Sequence, residues 1–227
     1  MALDEQRPRS RKAKKTQTRE SIKAAVSDML IRYGYRGTSM SKISEAVGST
    51  TTNIFYHFGS KENLIDEVIE DYVEKAIEAQ RGIWTNDALF LRQKIEMVVE
   101  LNRERHRRFN SEGSTGNAWS LIGRMRMETD VISDRARGDL HRFGDELAEM
   151  VREAMQRAKA TGELRRITPV DEASRVIANI VNSTSVLTIE MGSFDKVASL
   201  VASCTQMLFD AYGTPRATSG ALYRDAR

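Results

Sequence analysis

Thr51, Thr52, Asn53, Tyr56, His57 and Lys61 are the polar side chains whose types and spacing suit one kind of chemistry. Thr and Asn can hydrogen-bond to base edges, Asn most distinctively with adenine, and a threonine methyl can meet that of thymine. Tyr56, His57 and Lys61 can donate to phosphate oxygens. The alternatives are packing against a local core for Tyr56 and His57, and a solvated first turn for Lys61. His141, Asp145 and Glu149 lie four apart and could share a helix face. With no second His or Cys nearby they read as a solvated face rather than a metal site. There is no nucleophile elbow, phosphate loop or paired-cysteine site, so no catalytic residue, metal or cofactor is assigned and no enzyme is expected.

The elements that must position these side chains lie between Thr38 and Asn63, in TSMSKISEAVGSTTTNIFYHFGSKEN. Met40, Ile43 and Val47 recur at three and four, giving one helix an apolar face. Gly48 supplies the stop and the turn. Thr50 offers a hydroxyl to cap a second helix, anchored by Ile54 and Phe58. That second helix has no acidic residue, and its outer surface is small, polar and aromatic. A short helix of this kind, presented by a helix-turn-helix, suits the major groove of DNA.

Before the motif, Ile22, Ala25, Val26, Met29, Leu30 and Tyr33 form the stripe of an amphipathic helix over 16–33, ended by Gly34. One small core is expected from Ile22, Val26, Met29, Leu30, Ile43, Val47, Ile54 and Phe58. After the motif, Ser60 can cap a helix from Lys61 to about Arg81, roughly 30 Å long at 1.5 Å per residue. It follows the motif directly, so a tilt at its far end moves the motif.

Helical spacing continues to the C-terminus. A helix is expected over 87–109, ending in a charged run from Arg103 to Arg108 that reads as a solvated end. The stretch Asn110–Asn117 is a loop, and a short helix carries Trp119, Leu121, Ile122 and Met125. Ser133 or Asp134 can cap the next long helix, whose Gly138 and Gly144 can mark close helix contact. Thr168, Pro169, Asp171 and Glu172 give a start signal, with Thr168 as cap and Pro169 as first helical residue. The last two helices, about 170–191 and 194–212, carry apolar positions on more than one stripe. A second stripe suits a partner copy in a two-fold dimer, or else a pair buried within one chain.

The 227 residues carry a net charge of +3, unevenly distributed. Residues 1–62 hold 12 Lys/Arg against 6 Asp/Glu, and the remainder is slightly acidic. This favours a nucleic-acid-facing head on a neutral body. The basic residues 1–15, including Arg7, Arg9, Arg11, Lys12, Lys14 and Lys15, read as a disordered arm with an electrostatic role. Cys204 is the only cysteine, so no intrachain disulfide is possible, and it reads as a small core residue. No signal-like or membrane-spanning apolar run occurs, so a cytoplasmic location is expected.

From Gly34 to Leu64 the chain resembles the TetR family of bacterial transcription regulators. The resemblance is carried by Gly34, Thr38, Ile43, Ala46, Gly48, Tyr56-His57-Phe58 and Ser60-Lys61-Glu62. It implies an all-α fold of about nine helices and a homodimer with a small-molecule pocket in the body, whose occupancy lowers DNA affinity. By position it places Thr51, Thr52 and Asn53 at base edges and Tyr56, His57 and Lys61 at phosphates. Thr38 and Ser39 then start the first motif helix against the DNA backbone. With Thr50, these are the expected DNA-binding residues. The family usually has Tyr where Phe55 stands, and Phe55 is expected to pack rather than bind. The family often has Gly, Pro or Ala where Thr52 stands.

The expected organisation is an arm (1–15), a DNA-binding three-helix head (16–60), a ligand-binding and dimerisation body (61–213) and a tail (214–227). Candidate pocket residues are Trp119, Met125, His141 and Asn182, each with a core or surface alternative. The expected function is a homodimeric repressor released from a palindromic double-stranded operator by an unidentified small molecule. A sequence-nonspecific DNA-packing protein and a helical enzyme are the alternatives.

Overall fold

The computed structural model describes residues 11–110, 116–215 and 217, with side chains from residue 19. Among these residues the chain forms nine helices and no strand. They are α1 (Arg11–Gly37), α2 (Met40–Ala46), α3 (Thr51–Phe58), α4 (Lys61–Trp84), α5 (Leu91–Phe109), α6 (Leu121–Arg126), α7 (Asp134–Ala160), α8 (Val170–Met191) and α9 (Phe194–Tyr212). Residues 1–10 of the expected basic arm lie outside the described residues.

The head follows from its apolar periodicity. Ile22, Val26, Leu30, Ile43, Ile54 and Phe58 are buried together, with Met29 and Val47 partly buried against them. Each fully buried aliphatic side chain contributes on the order of 1.5–3 kcal/mol. Helix α1 begins at Arg11, earlier than its apolar stripe predicts, and continues past Gly34 only through a break. Gly34 has φ 71° and ψ −177° there, a conformation open essentially to glycine alone.

Helix α4 spans 24 residues, about 36 Å, slightly beyond the expected end at Arg81. Its first turns bury Leu64, Ile65 and Val68, and its last turns bury Gln80, Ile83 and Trp84. It packs on α1 and α3 at one end and on α7 along its length. Helix α7 packs in turn on α8, and α8 on α9.

Several local expectations need correction. Thr168 does not cap α8: its hydroxyl donates to the Arg165 carbonyl at 2.6 Å, and Pro169 precedes the first helical residue, Val170. Helix α5 starts at Leu91 rather than Asp87, where the Gln93 side chain accepts from the Phe90 N–H at 2.9 Å. The charged end of α5 is not wholly solvated, because His106 is buried within it. Gly138 has no neighbour close to where a Cβ would stand, whereas Gly144 faces the Arg126 and Asn182 side chains.

Candidate nucleic-acid interface

The two motif helices are set by their caps. Ser39 is extended and its hydroxyl accepts from the Lys42 N–H at 3.3 Å, starting α2. Gly48 turns the chain at φ 61°, where an L side chain would be strained. Thr50 is again extended, and its hydroxyl accepts from the Asn53 N–H at 3.1 Å. The orphan N–H groups at these helix starts add positive potential on one side of the head.

Helix α3 buries Ile54 and Phe58, four residues apart, and so turns Thr52, Phe55 and Tyr56 outward. Tyr56 is 72% exposed. Thr51, Asn53 and His57 are half-buried at the edges of that face. The Asn53 amide donates to the Ser49 hydroxyl at 2.9 Å, which fixes its rotamer while leaving its second N–H and its oxygen to meet a base. The His57 ring stands edge-on to Tyr56, 5.5 Å between centroids. Helix α3 carries no acidic side chain to repel phosphate.

Three residues sit differently from the sequence expectation. Thr38 is fully buried, and its hydroxyl donates to the Gly34 carbonyl at 2.7 Å, so it braces the break in α1 instead of facing DNA. Phe55 is exposed rather than packed, because it shares the outward face with Thr52. The Lys61 ammonium turns inward: it donates to the Tyr35 carbonyl at 2.9 Å and lies 4.0 Å from the centre of that ring. Burial holds it below the ordinary lysine range, with the Glu128 carboxylate acting in the opposite direction. Lys61 therefore ties the α1–α2 link to the start of α4.

A residue the sequence did not single out supports α3 from behind. Arg19 donates to the His57 carbonyl at 2.6 Å, ion-pairs with Glu67 and stacks 4.5 Å from the Phe58 ring centre. The last carbonyls of a helix favour such a cation. No local signal reveals this role, since His57 is 38 residues away.

In the body, Trp119 and Asn182 line a small polar cavity of about 30 Å³. Asn182 accepts from the Arg126 guanidinium at 2.6 Å. Met125 is fully buried in the core. His141 is exposed on α7 with Asp145 and Glu149 and lines none of the described cavities, which removes it from the pocket candidates. A second cavity of about 300 Å³ opens between α1, α4 and α5. Among the described residues no group of three or more His, Cys, Asp or Glu side chains is placed to hold a metal ion, and no helix is long and apolar enough to cross a membrane.

Residues 22–68 match the family model of the bacterial regulatory proteins of the tetR family. The fold is similar to that of E. coli NemR in its reduced form, with a TM-score of 0.72, 14% identity, and 84% of this chain and 96% of that chain covered. A TetR transcriptional regulator from Chloroflexus aurantiacus gives 0.71 and 20% identity over 88% of this chain and 98% of that one. The regulatory protein TetR from Rhodobacter sphaeroides gives 0.71 and 15% identity over 86% and 98%. At these identities the structural likeness is one of fold, and the matched segment adds the DNA-binding head. Members of this family bind DNA operators and form homodimers. Residues 22–68 thus form a DNA-binding domain of the tetR type on a fold similar to that of TetR regulators, and the chain is a DNA-binding transcriptional regulator.

Proposed function

We propose that the chain is a homodimeric repressor that holds a palindromic operator through α3 and leaves it when a small molecule occupies the body. The observation that carries this reading is the α3 surface, where Thr52 and Tyr56 stand exposed beside a rotamer-fixed Asn53 with no acidic neighbour on the helix. Thr51, Thr52 and Asn53 read bases, and Tyr56 and His57 position the helix on phosphates. Ser39 and Thr50 bring the two helix starts to the backbone. The working division is the head at 16–60 and the body at 61–213, with arm 1–15 and tail 214–227, in a protein acting in the cytoplasm without catalysis.

Dimerisation through α8 and α9 is supported by what those helices leave uncovered. Val176 and Ile189 on α8 and Met207 on α9 are exposed. Around them stand small exposed residues, Asn179, Ser183, Ser199, Ala202 and Ser203, over which a second pair of helices can approach closely. In the dimer the two α3 helices must sit about one DNA turn apart, ~34–36 Å. Because α4 is packed on the head at one end and on the body along its length, a ligand that tilts it changes that spacing. Selection from a random DNA pool tests the reading. A palindrome is expected, and an enriched pool without a preferred sequence would replace a specific repressor with a DNA-packing protein.

A further inference from the structure

The cavity of about 300 Å³ lies on the seam between head and body, with α1 forming one wall and α4 and α5 the others. Its charges do not cancel. The lining carries three carboxylates, and all are matched: Lys23 reaches Asp71 at 2.5 Å and Glu20 at 2.8 Å, and Arg108 reaches Asp28 at 2.8 Å. Two cations in the same lining, Lys75 and Arg105, make no ion pair within 4.0 Å among the described residues. Arg105 is half-buried, where an unmatched guanidinium costs more than on an open surface.

A second unmatched donor stands in the same wall. The Trp119 indole is 2% exposed, and its Nε1–H has no acceptor among the described residues. Buried donors are normally satisfied, so this one calls for an acceptor. The ring is held by its neighbours: Phe194 stands 6.0 Å away and His106 6.1 Å, both near edge-on. Tyr72, Arg105 and Trp119 also line the inner 30 Å³ cavity, so the seam and the body core meet at these three residues.

We infer that this seam binds a small amphipathic organic acid, its carboxylate taken by Arg105 with the Trp119 N–H. A carboxylate is the acceptor that satisfies both donors, and charge-assisted bonds to guanidinium are among the strongest available. Ile31, Val68 and Phe109 offer the acid's body an apolar wall. The volume sits at the lower end of small-molecule sites, which suits a medium-chain or single-aromatic acid. An occupant would press on the bridges that tie α1 to α4 and α5, Lys23–Asp71 and Asp28–Arg108. This consequence rests on the ligand-released reading above; the binding itself does not.

The test is calorimetric titration of the full-length protein with phenylacetate, indole-3-acetate and octanoate, each paired with its primary amide. At least one acid is expected to bind about tenfold or more tightly than its amide. Arg105→Gln should remove that preference, while Arg107→Gln, outside the cavity, should keep it. Trp119→Phe should weaken the acid several-fold, with folding of each variant checked by circular dichroism. No binding at millimolar acid, equal binding of acid and amide, or a preference surviving in Arg105→Gln overturns the site. Operator affinity in the same samples separates the two readings. Acids that bind without loosening the operator keep the site and reject ligand release through it. Release by a neutral compound, unchanged in Arg105→Gln, keeps ligand release and rejects the seam as its route.

Discussion

The Glu128 carboxylate, just beyond α6, accepts a hydrogen bond from the Tyr35 N–H at 2.9 Å, across 93 residues of sequence. Arg124 holds the other carboxylate oxygen at 3.0 Å. Tyr35 follows directly on the Gly34 break in α1, and its carbonyl takes the Lys61 ammonium. The end of α1, the start of α4 and the turn after α6 thus meet at one 8%-exposed carboxylate.

Gly34→Ala should be costly for two separate reasons. The backbone there is essentially glycine-only, and an added Cβ would overlap the Glu128 carboxylate. Strain of about 1–3 kcal/mol is expected. In a chain of this size that lowers the melting temperature by roughly 2–10 °C. A thermal melt reads it directly, and a variant melting within a degree of the parent would show that Gly34 is dispensable.

Much of this was legible where the chemistry is local. Thr50 and Ser60 cap the helices they precede, Gly48 turns, and the head's core follows from spacings of three and four. The direction a polar side chain takes was not legible, because distant partners decide it. Lys61 looks like a solvated first-turn cation until α1 delivers the Tyr35 carbonyl beside it. His106 sits in a run of arginines yet is buried, because Trp119 and Phe194 close over it. Thr38 faces inward because the break at Gly34 leaves a carbonyl four residues back for its hydroxyl. Among the pocket candidates, Trp119 and Asn182 line a cavity while His141 faces solvent, a difference that one-dimensional spacing does not contain.

Lys94 predicts a pH dependence. It is 3% exposed, and its ammonium donates to the Trp84 carbonyl at the end of α4, at 2.8 Å. Burial lowers its folded pKa below the ordinary lysine value of 10.5, with Asp87 and Glu163 opposing and Arg157 reinforcing the shift. Between the folded pKa and 10.5 the unfolded chain therefore binds more protons, so this group's contribution to stability rises with pH. The stability of the parent relative to Lys94→Met should grow between about pH 7 and about pH 10.5. Urea melts at both values check it, and a difference that stays level or shrinks refutes the assignment.

Val176→Asp on α8 and Met207→Asp on α9 should separate the protomers. Both side chains are more than half exposed in the single chain, so a charge there costs the fold little. In a two-fold interface each substitution appears twice and sets like charges in a desolvated patch. Sedimentation should show monomer at concentrations where the parent is a dimer, with operator affinity reduced by more than tenfold, on the order of 1.4 kcal/mol or more. A dimer unaffected by both substitutions would place the interface elsewhere.

Asn53 and Tyr56 should fail in different ways, although they lie three residues apart on α3. Asn53 is locked by Ser49 with part of its amide left over, the arrangement for reading a base edge. Asn53→Ala should cost about 1–3 kcal/mol at the preferred base and flatten discrimination at that position. Tyr56 is 72% exposed, and in the proposed complex its neutral hydroxyl meets phosphate. Tyr56→Phe should weaken every sequence by a similar amount, about 0.5–1.5 kcal/mol, with the salt slope unchanged because no charge is lost. Fluorescence anisotropy on the selected operator and its single-base variants separates the two profiles. If both variants lose affinity uniformly across bases, Asn53 acts on the backbone and sequence is read elsewhere on the head.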